Sequence, residues 1–394
     1  MTEVWILGGA GRSGRAIADA LRGHGIRPVL VGRNAGRLAA AAEAAGGTAA
    51  VLSNRGAGAA TGAGNAAGAG NAGGTGNAAG AGGGDRVIVT GSIEEMAAEI
   101  RRQRPTVVVN TAGPFAGTAG TLIRACLPFS HYVDIANDLD AVAATLALGA
   151  AATEAGRTVV TGAGFGVTAT ESVVVKLCED RPAPVRVRVD MVPSLSLEAG
   201  VFGEALAATI LDGLAGGGLR KGRAYRGGRL VPTWLAGDAA RLTLPDGVTV
   251  TTASMPLGEL LAAQRASGAP DVVAASSEAP SSPAVRAVLP LVTTLLGIGP
   301  LRNAVKRRLA AVRFGARPRP REYSWGHAVV RWADGTTREG WLRLGEAQSW
   351  TGAVPAEVVR RLLAGEGRPG AYTPTGLFGA SLAEACGAEY LIPR

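Results

Sequence analysis

A chain of 394 residues that is 47% hydrophobic and 18% charged is long enough for two sizeable cores, so two domains are expected. The net charge of +9 would suit nucleic acid, but the basic residues are nearly all Arg and mostly scattered, and 4% aromatics leave little to stack bases on, so no nucleic-acid role is expected. Cys126, Cys178 and Cys386 are odd in number and lack metal-ligand spacing, which argues against a disulfide framework or a metal site and fits a reducing, cytoplasmic setting. Val4 already belongs to the first predicted strand, so no signal peptide is expected.

Val4-Trp5-Ile6-Leu7 reads as a buried strand, and Gly8, Gly11 and Gly14 make a GxxGxxG turn into a helix running through Ala16-Ile17-Ala18 to Leu21. Strand, glycine turn and helix start together predict a dinucleotide cradle. Pyrophosphate must approach the backbone closely, which excludes Cβ atoms, and the free N–H groups at the helix start face its charge; Arg12 and Ser13 in this turn are expected among the cofactor-binding residues. Pro28 to Gly32 is the second strand, and Arg33 and Asn34 stand where a cofactor without a 2′-phosphate would want an acid on its ribose. Arg33, with Arg12 closing from the other side, predicts NADP(H) over NAD(H). The plainer alternative makes Arg33 a solvated loop residue.

Gly36 to Ala45 is an Ala-rich helix ending at Gly46-Gly47, and Thr48 to Leu52 starts a strand. Residues 53–84 are then almost pure Gly, Ala, Asn and Thr, with a Gly-Asn-Ala-Ala-Gly-Ala-Gly repeat at 64–70 and 76–82. Such a segment buries too little apolar surface to offset its ordering entropy, so it is expected to be a flexible surface insertion. The α/β alternation resumes with a strand at Arg86 to Thr90, a helix from Ile93 to Arg102 and a strand at Thr106 to Val109. Ligands lie at the carboxyl ends of parallel strands, so Thr111, Ala112, Gly113, Pro114 and Phe115 are expected beside the nicotinamide ribose and ring.

A helix follows from Thr118 to Leu127, then a strand from His131 to Ile135, one helix from Asn137 to about Ala155, and a strand at Thr158 to Thr161. Gly162 to Gly166 then turns into a helix opened by Thr168, Thr170 and Glu171. Alternation puts Tyr132 and Asp134 on one face, which makes Tyr132 the first candidate proton donor, Asp134 a group orienting the pocket and Thr170 the next donor. Equally open is an ordinary core Tyr with a helix-start Asp, and capping by Thr170 and Glu171. No Tyr-x-x-x-Lys pair occurs, which separates the chain from short-chain dehydrogenases.

The glycine turn with Arg15, Gly-Arg-Asn at 32–34, Val-Asn-Thr-Ala-Gly-Pro-Phe at 109–115, Ala-Cys-Leu at 125–127 leading to His-Tyr-Val-Asp at 131–134, and Gly-Ala-Gly-Phe at 162–165 together resemble the saccharopine dehydrogenase-like superfamily. The resemblance is strongest over 4–172; Met-Pro-Leu-Gly-Glu at 255–259 and Ser-Gly-Ala-Pro-Asp at 267–271 are similar to a later family segment. It implies a nicotinamide-binding Rossmann domain, an inserted α+β domain and a cleft between them for hydride transfer. Family members acting on amino acids usually carry an acid just after the Gly-Phe, where this chain has Gly166.

Beyond it, period-two alternation at Val185 to Val189, strands near Leu230-Val231, Arg241 to Leu244, Val248 to Thr252 and Val272 to Ala275, and a hairpin at Ala328 to Leu344 around Asp334-Gly335 predict a mainly antiparallel sheet. Helices at 203–214 and about 257–264 would cover it, and helices at Pro355 to Leu363 and Leu377 to Cys386 would pack back on the first domain. The expected fold is α/β: a doubly wound Rossmann domain over 1–166, an α+β substrate or dimerisation domain over 167–350, and C-terminal helices over 351–394. The apolar run at 287–300 is too short to span a membrane; with the basic residues up to Arg321 it is either an interfacial helix or, as favoured here, a buried helix with a solvated basic tail. The expected activity is NADPH-dependent reduction of a C=N, C=O or conjugated C=C bond in a small molecule, in a monomer or a homodimer; the alternative is a non-catalytic NADP(H)-binding protein, membrane-associated through 287–321.

Overall fold

Strands buried on both faces belong in a parallel sheet flanked by helices, and in the computed structural model Val4–Leu7 (β1) and Val107–Asn110 (β5) are buried at every position. The structure describes residues 2–43, 50–53, 85–196, 200–201, 222–279, 295, 298–315 and 318–393. Nearly all of the insertion at 53–84, the predicted helix at 203–214, the end of the helix predicted to Ala45 and most of the apolar run at 287–300 lie outside these residues. So does Arg317 of the basic tract.

In chain order the first part reads β1, α1 (Arg12–Gly23), β2 (Val29–Gly32), α2 (Ala35–Glu43), β3 (Ala50–Ser53), β4 (Arg86–Val89), α3 (Ile93–Gln103), β5, α4 (Phe115–Cys126), β6 (His131–Asp134), α5 (Leu139–Leu146), α6 (Gly149–Glu154), β7 (Thr158–Val160) and α7 (Phe165–Cys178). There follow β8 (Arg186–Val192), β9 (Gly200–Val201), β10 (Gly222–Arg226), β11 (Arg229–Thr233), β12 (Ala240–Thr243), β13 (Thr249–Ser254), α8 (Gly258–Ser267), β14 (Asp271–Ser276), α9 (Gly299–Ala310), β15 (Arg313–Phe314), β16 (Ser324–Arg331) and β17 (Thr337–Leu344). The chain closes with α10 (Ala347–Leu363), β18 (Gly370–Tyr372), α11 (Pro374–Phe378), α12 (Ser381–Ala385) and β19 (Glu389–Leu391).

The first sheet has eight parallel strands in the order β18-β7-β6-β5-β1-β2-β4-β3, and the order in which the chain adds strands reverses between β1 and β5. Alternate residues feed opposite cores. Val4, Ile6, Val107 and Val133 face α1, α2 and α10, while Trp5, Leu7, Val108 and Tyr132 face α3, α4 and α6. The second sheet runs β11-β10-β14-β8-β16-β17-β19, with β13 paired to β14 and β12 to β13; among the described residues only β14 and β8 are parallel in it.

α7 is the joint between the two sheets. It is buried from Phe165 through Val174, and Gly326 lets β16 lie against it: a Cβ there would stand 2.9 Å from the carbonyl carbon of Ala169. On the far face of the second sheet His327 is held between Asp190 (Nδ1 to Oδ2, 3.0 Å) and Glu339 (Nε2 to Oε1, 2.9 Å) and stacks on Trp341 at 4.0 Å. Burial opposes the charge of this imidazole, but its two carboxylate neighbours prevail and raise its pKa.

Several elements differ from their predicted form. The single helix expected over 137–155 is two, α5 and α6, because β18 packs at the break, where a Cβ on Gly149 would meet the Ala371 nitrogen at 3.7 Å. The helix expected over 377–386 is also two, divided at Gly379 with φ of +74°. α10 starts eight residues before Pro355, with the Glu346 carboxylate accepting from the Ser349 N–H at 2.7 Å. The C-terminal segment is more than packed helices: β18 extends the first sheet and β19 the second.

Candidate active site

The glycine turn adopts the geometry that its residues require. Gly8 has φ of +79°, and its N–H donates to the Val31 carbonyl at 2.8 Å, joining β1 to β2. A Cβ on Gly8 would stand 2.7 Å from Thr111 Oγ1, and one on Gly14 would stand 2.5 Å from the Gly8 carbonyl oxygen, so neither position has room for one. α1 begins at Gly11 with no side-chain cap and no acid in its first turn, leaving its positive end open to an anion. Arg12 and Arg33 are exposed, the latter directly after β2. Asn34 is engaged: its Oδ1 accepts from the Arg37 N–H at 2.9 Å and caps α2. Ser13 accepts from Gln348 of α10 at 3.1 Å.

The turn after β5 is tied to its neighbours. The Thr111 hydroxyl donates to the Leu7 carbonyl at 2.7 Å, the Ala112 N–H donates to Asn110 Oδ1 at 2.9 Å, and Thr118 donates to the Ala112 carbonyl at 2.9 Å. Gly113, Pro114 and Phe115 complete it, with Pro114 leading directly into α4.

A cleft of about 180 Å³ opens at the carboxyl ends of β6 and β7. Ile135, Asn137 and Gly164 line it from the parallel-sheet side, Met191 and Glu278 from the second sheet, and Gln348 and Thr351 from α10. Phe165 sits on its floor, edge-on to Trp350 at 6.3 Å, with its N–H donating to Thr351 Oγ1 at 3.2 Å. Gln348 also borders a second hollow of about 230 Å³ beside Arg12 and Arg15. One α10 side chain thus connects the glycine turn with the cleft.

The structure brings Tyr132 and Asp134 together, as alternation required, but behind the cleft wall. Tyr132 is completely buried, and its hydroxyl accepts from Asn110 Nδ2 at 2.9 Å; burial and then the neighbouring Asp134 push its pKa well up. Asp134 Oδ1 accepts from Thr161 Oγ1 at 2.8 Å and from the Gly162 and Ala136 N–H groups at 3.1 Å, so this carboxylate knits together the two loops that line the cleft. Burial raises it to about 6 against those hydrogen bonds. Thr170 is also fully buried, and its hydroxyl returns to the Gly166 carbonyl at 2.9 Å within α7. Glu171 caps no turn of its own helix. It accepts from the Thr375 N–H at 3.2 Å and from Thr373, fastening α11 to α7, and burial lifts it to about 7.

Three residues that sequence reasoning did not single out as site residues stand at or behind this wall: Asn137 and Gln348 line it, and Glu259 lies behind it against the Asn137 amide. Glu259 is 1% exposed in the first turn of α8, and burial pushes it up to about 8, opposed by its own backbone N–H and the Asn137 amide. Glu259 closes the Met-Pro-Leu-Gly-Glu segment at 255–259, but a carboxylate in a helix's first turn ordinarily reads as a dipole partner, so that segment did not mark it as a site residue.

No family model and no curated protein matches this chain. Among solved structures, apo saccharopine dehydrogenase (L-Glu forming) from Saccharomyces cerevisiae is similar over 100% of both chains, with a TM-score of 0.57 at 11% identity. Two others are similar at lower scores. WlbA (WbpB) dehydrogenase from Thermus thermophilus, solved with NAD and α-ketoglutarate, matches over 98% of this chain and 93% of its own, with a TM-score of 0.41 at 15% identity. GenD2 from gentamicin A biosynthesis, solved with NAD, matches over 100% and 96%, with a TM-score of 0.40 at 15% identity. The chain is therefore saccharopine dehydrogenase-like in fold, a Rossmann-type parallel sheet joined to a mainly antiparallel α+β unit.

Proposed function

We propose that this protein is an oxidoreductase that uses NADP(H) to reduce a small organic substrate. The observation that carries the reading is the continuity between an uncapped, acid-free α1 start at a glycine turn and a cleft walled by both sheets and α10. A module that only bound a nucleotide would have no use for the second wall.

The residues fit the group. The N–H groups that open α1, with Ser13, would hold the pyrophosphate, Arg33 and Arg12 the 2′-phosphate and residues Thr111 to Phe115 the nicotinamide ribose. When bound, the reduced nicotinamide supplies a hydride to an acceptor carbon about 3–3.5 Å away. Phe165 and Gly164 floor the space for the acceptor, and Asp134 keeps the loops around it in register. In this reading Tyr132 is a strut and not the proton donor, since its phenol is turned to Asn110 inside the core; Thr170, spent on the Gly166 carbonyl, is a strut as well.

Calorimetric titration with NADPH and NADH tests the cofactor. At least tenfold tighter NADPH binding, about 1.4 kcal/mol, is expected, with Arg33→Asp narrowing or reversing the gap. Equal affinities would remove the preference for NADP(H), and binding of neither would remove the function. Turnover on a panel of imines, carbonyl compounds and enoyl thioesters separates the enzyme from a non-catalytic nucleotide-binding protein.

A further inference from the structure

Glu259 is a buried acid without a countercharge. Among the described residues no Arg, Lys or His is paired with its carboxyl, and its one side-chain partner is the Asn137 amide, 3.0 and 3.1 Å from the two carboxyl oxygens. The helix that carries it is drawn in tightly: a Cβ on Gly258 would stand 2.9 Å from a Val142 methyl and 3.1 Å from a Val167 methyl. This places the Glu259 carboxyl over Gly166, in the volume that any side chain there would need, with Met191 Sδ 2.8 Å from that same point. Asn137, Gly166 and Met191 all line the cleft. These three neighbours of the carboxyl head are therefore pieces of cleft wall, and the thinnest of them is a glycine.

We propose that Glu259, seated in the side-chain space of Gly166 beside the cleft, is the group that binds the substrate nitrogen and delivers its proton, and that the bond reduced is a C=N bond. This rests on the oxidoreductase reading above. A desolvated carboxyl held neutral near physiological pH can give a proton to an imine nitrogen and then, as a carboxylate, pair with the amine product once the amine has taken a second proton from solvent, and that ammonium supplies the countercharge that the fold lacks. The step balances. As the hydride from the reduced nicotinamide nucleotide forms the new C–H bond, the C=N π pair moves to nitrogen, which takes the proton from the Glu259 O–H, and the oxidised nucleotide and the carboxylate remain. Solvent reprotonates the carboxylate after the amine leaves.

Pyrrolidine, a cyclic ammonium ion at neutral pH, is the probe, added to the full chain saturated with NADP⁺. Binding is measured by calorimetry, and infrared difference spectra follow the protonated-carboxyl band. The parent is expected to bind pyrrolidine at least tenfold tighter than Glu259→Gln and to lose at pH 7 a carboxyl band that the variant lacks. Gly166→Ala, whose Cβ would stand 1.9 Å from a Glu259 carboxyl oxygen and so drives the carboxyl from its seat, is expected to weaken pyrrolidine in the same way. Nucleotide affinity should be the same in all three proteins. Equal pyrrolidine binding by parent and Glu259→Gln, no binding by the parent, or an unchanged carboxyl band overturns the proposal. Should the parent bind no nicotinamide nucleotide at all, it is the oxidoreductase reading that falls.

Discussion

The Glu259 carboxyl occupies the space that a side chain on Gly166 would fill, so the lack of a side chain at one residue seats a buried acid from another helix against the cleft. That placement has a thermodynamic signature. The carboxyl keeps its proton in the folded chain up to about pH 8, whereas in the unfolded chain it loses it near 4.5. Between those values the folded state binds more protons, so this group's stability contribution is complete below pH 4.5 and is lost as pH rises through 8. Glu259→Gln should be little different from the parent at pH 5 and more stable than it at pH 8.5, by an amount on the order of a few kcal/mol. Denaturant titrations at the two pH values check this, and a difference independent of pH would contradict it. Glu171 and Asp134, raised to about 7 and about 6, act with the same sign, so the variant should retain part of the slope.

Tyr132→Phe removes the acceptor of the Asn110 Nδ2–H group inside the core. Leaving that donor unpaired should cost about 1–3 kcal/mol of stability. Because Asn110 also holds the Ala112 N–H, NADPH affinity should fall a few-fold through the loosened turn. Turnover on an identified substrate should fall no further than saturation explains. A loss of about 10²–10⁴ in turnover with NADPH binding intact would return the proton-donor role to the phenol.

Gly352 sets how closely α10 approaches α1. A Cβ there would lie 2.8 Å from the Ala16 carbonyl carbon and oxygen, which are backbone atoms and cannot swing aside. Gly352→Ala should therefore destabilise by about 1–3 kcal/mol. Gly117, in α4 with no atom within 4 Å of its added Cβ, is the control. Gly117→Ala should stabilise by about 0.5–1 kcal/mol. Equal effects at the two sites in denaturant unfolding would show that α1 and α10 can separate freely.

Residues 54–84 join β3 to β4, and these strands are parallel, with Ala50 opposite Arg86 and Ser53 opposite Val89. A tight turn cannot make that connection, because the chain must travel back along the strand before pairing. Replacing 54–84 with a Gly/Ser linker of about a dozen residues should leave the melting temperature and NADPH affinity nearly unchanged, since loop length itself costs only about 0.6 kcal/mol per doubling. A two-residue replacement should lose the β3 edge. Comparable melting of both deletions would show that β3 adds nothing to the sheet.

What the sequence determined by itself is what local chemistry encodes. Val4 to Leu7, Val107 to Val109 and Thr158 to Val160 are apolar runs that can only be buried strands, and Gly8 and Gly14 stand where no Cβ fits, so the parallel sheet and its glycine turn were legible from residue types and spacing. Period-two alternation at Val187 and Val189 likewise marked the second sheet, whose inner face these residues supply. The same alternation put Tyr132 and Asp134 on one face but left undecided what that face meets, and it meets α3, α4 and the Asn110 amide. Tertiary structure alone decided that residues 370–372 close the edge of the first sheet beside β7, that Gln348 reaches the glycine turn, and that Glu259 lies over Gly166. Each of these joins segments tens to hundreds of residues apart, and such a contact exists only because packed helices and strands bring the segments together; no window of sequence records which buried carboxyl will face which missing side chain.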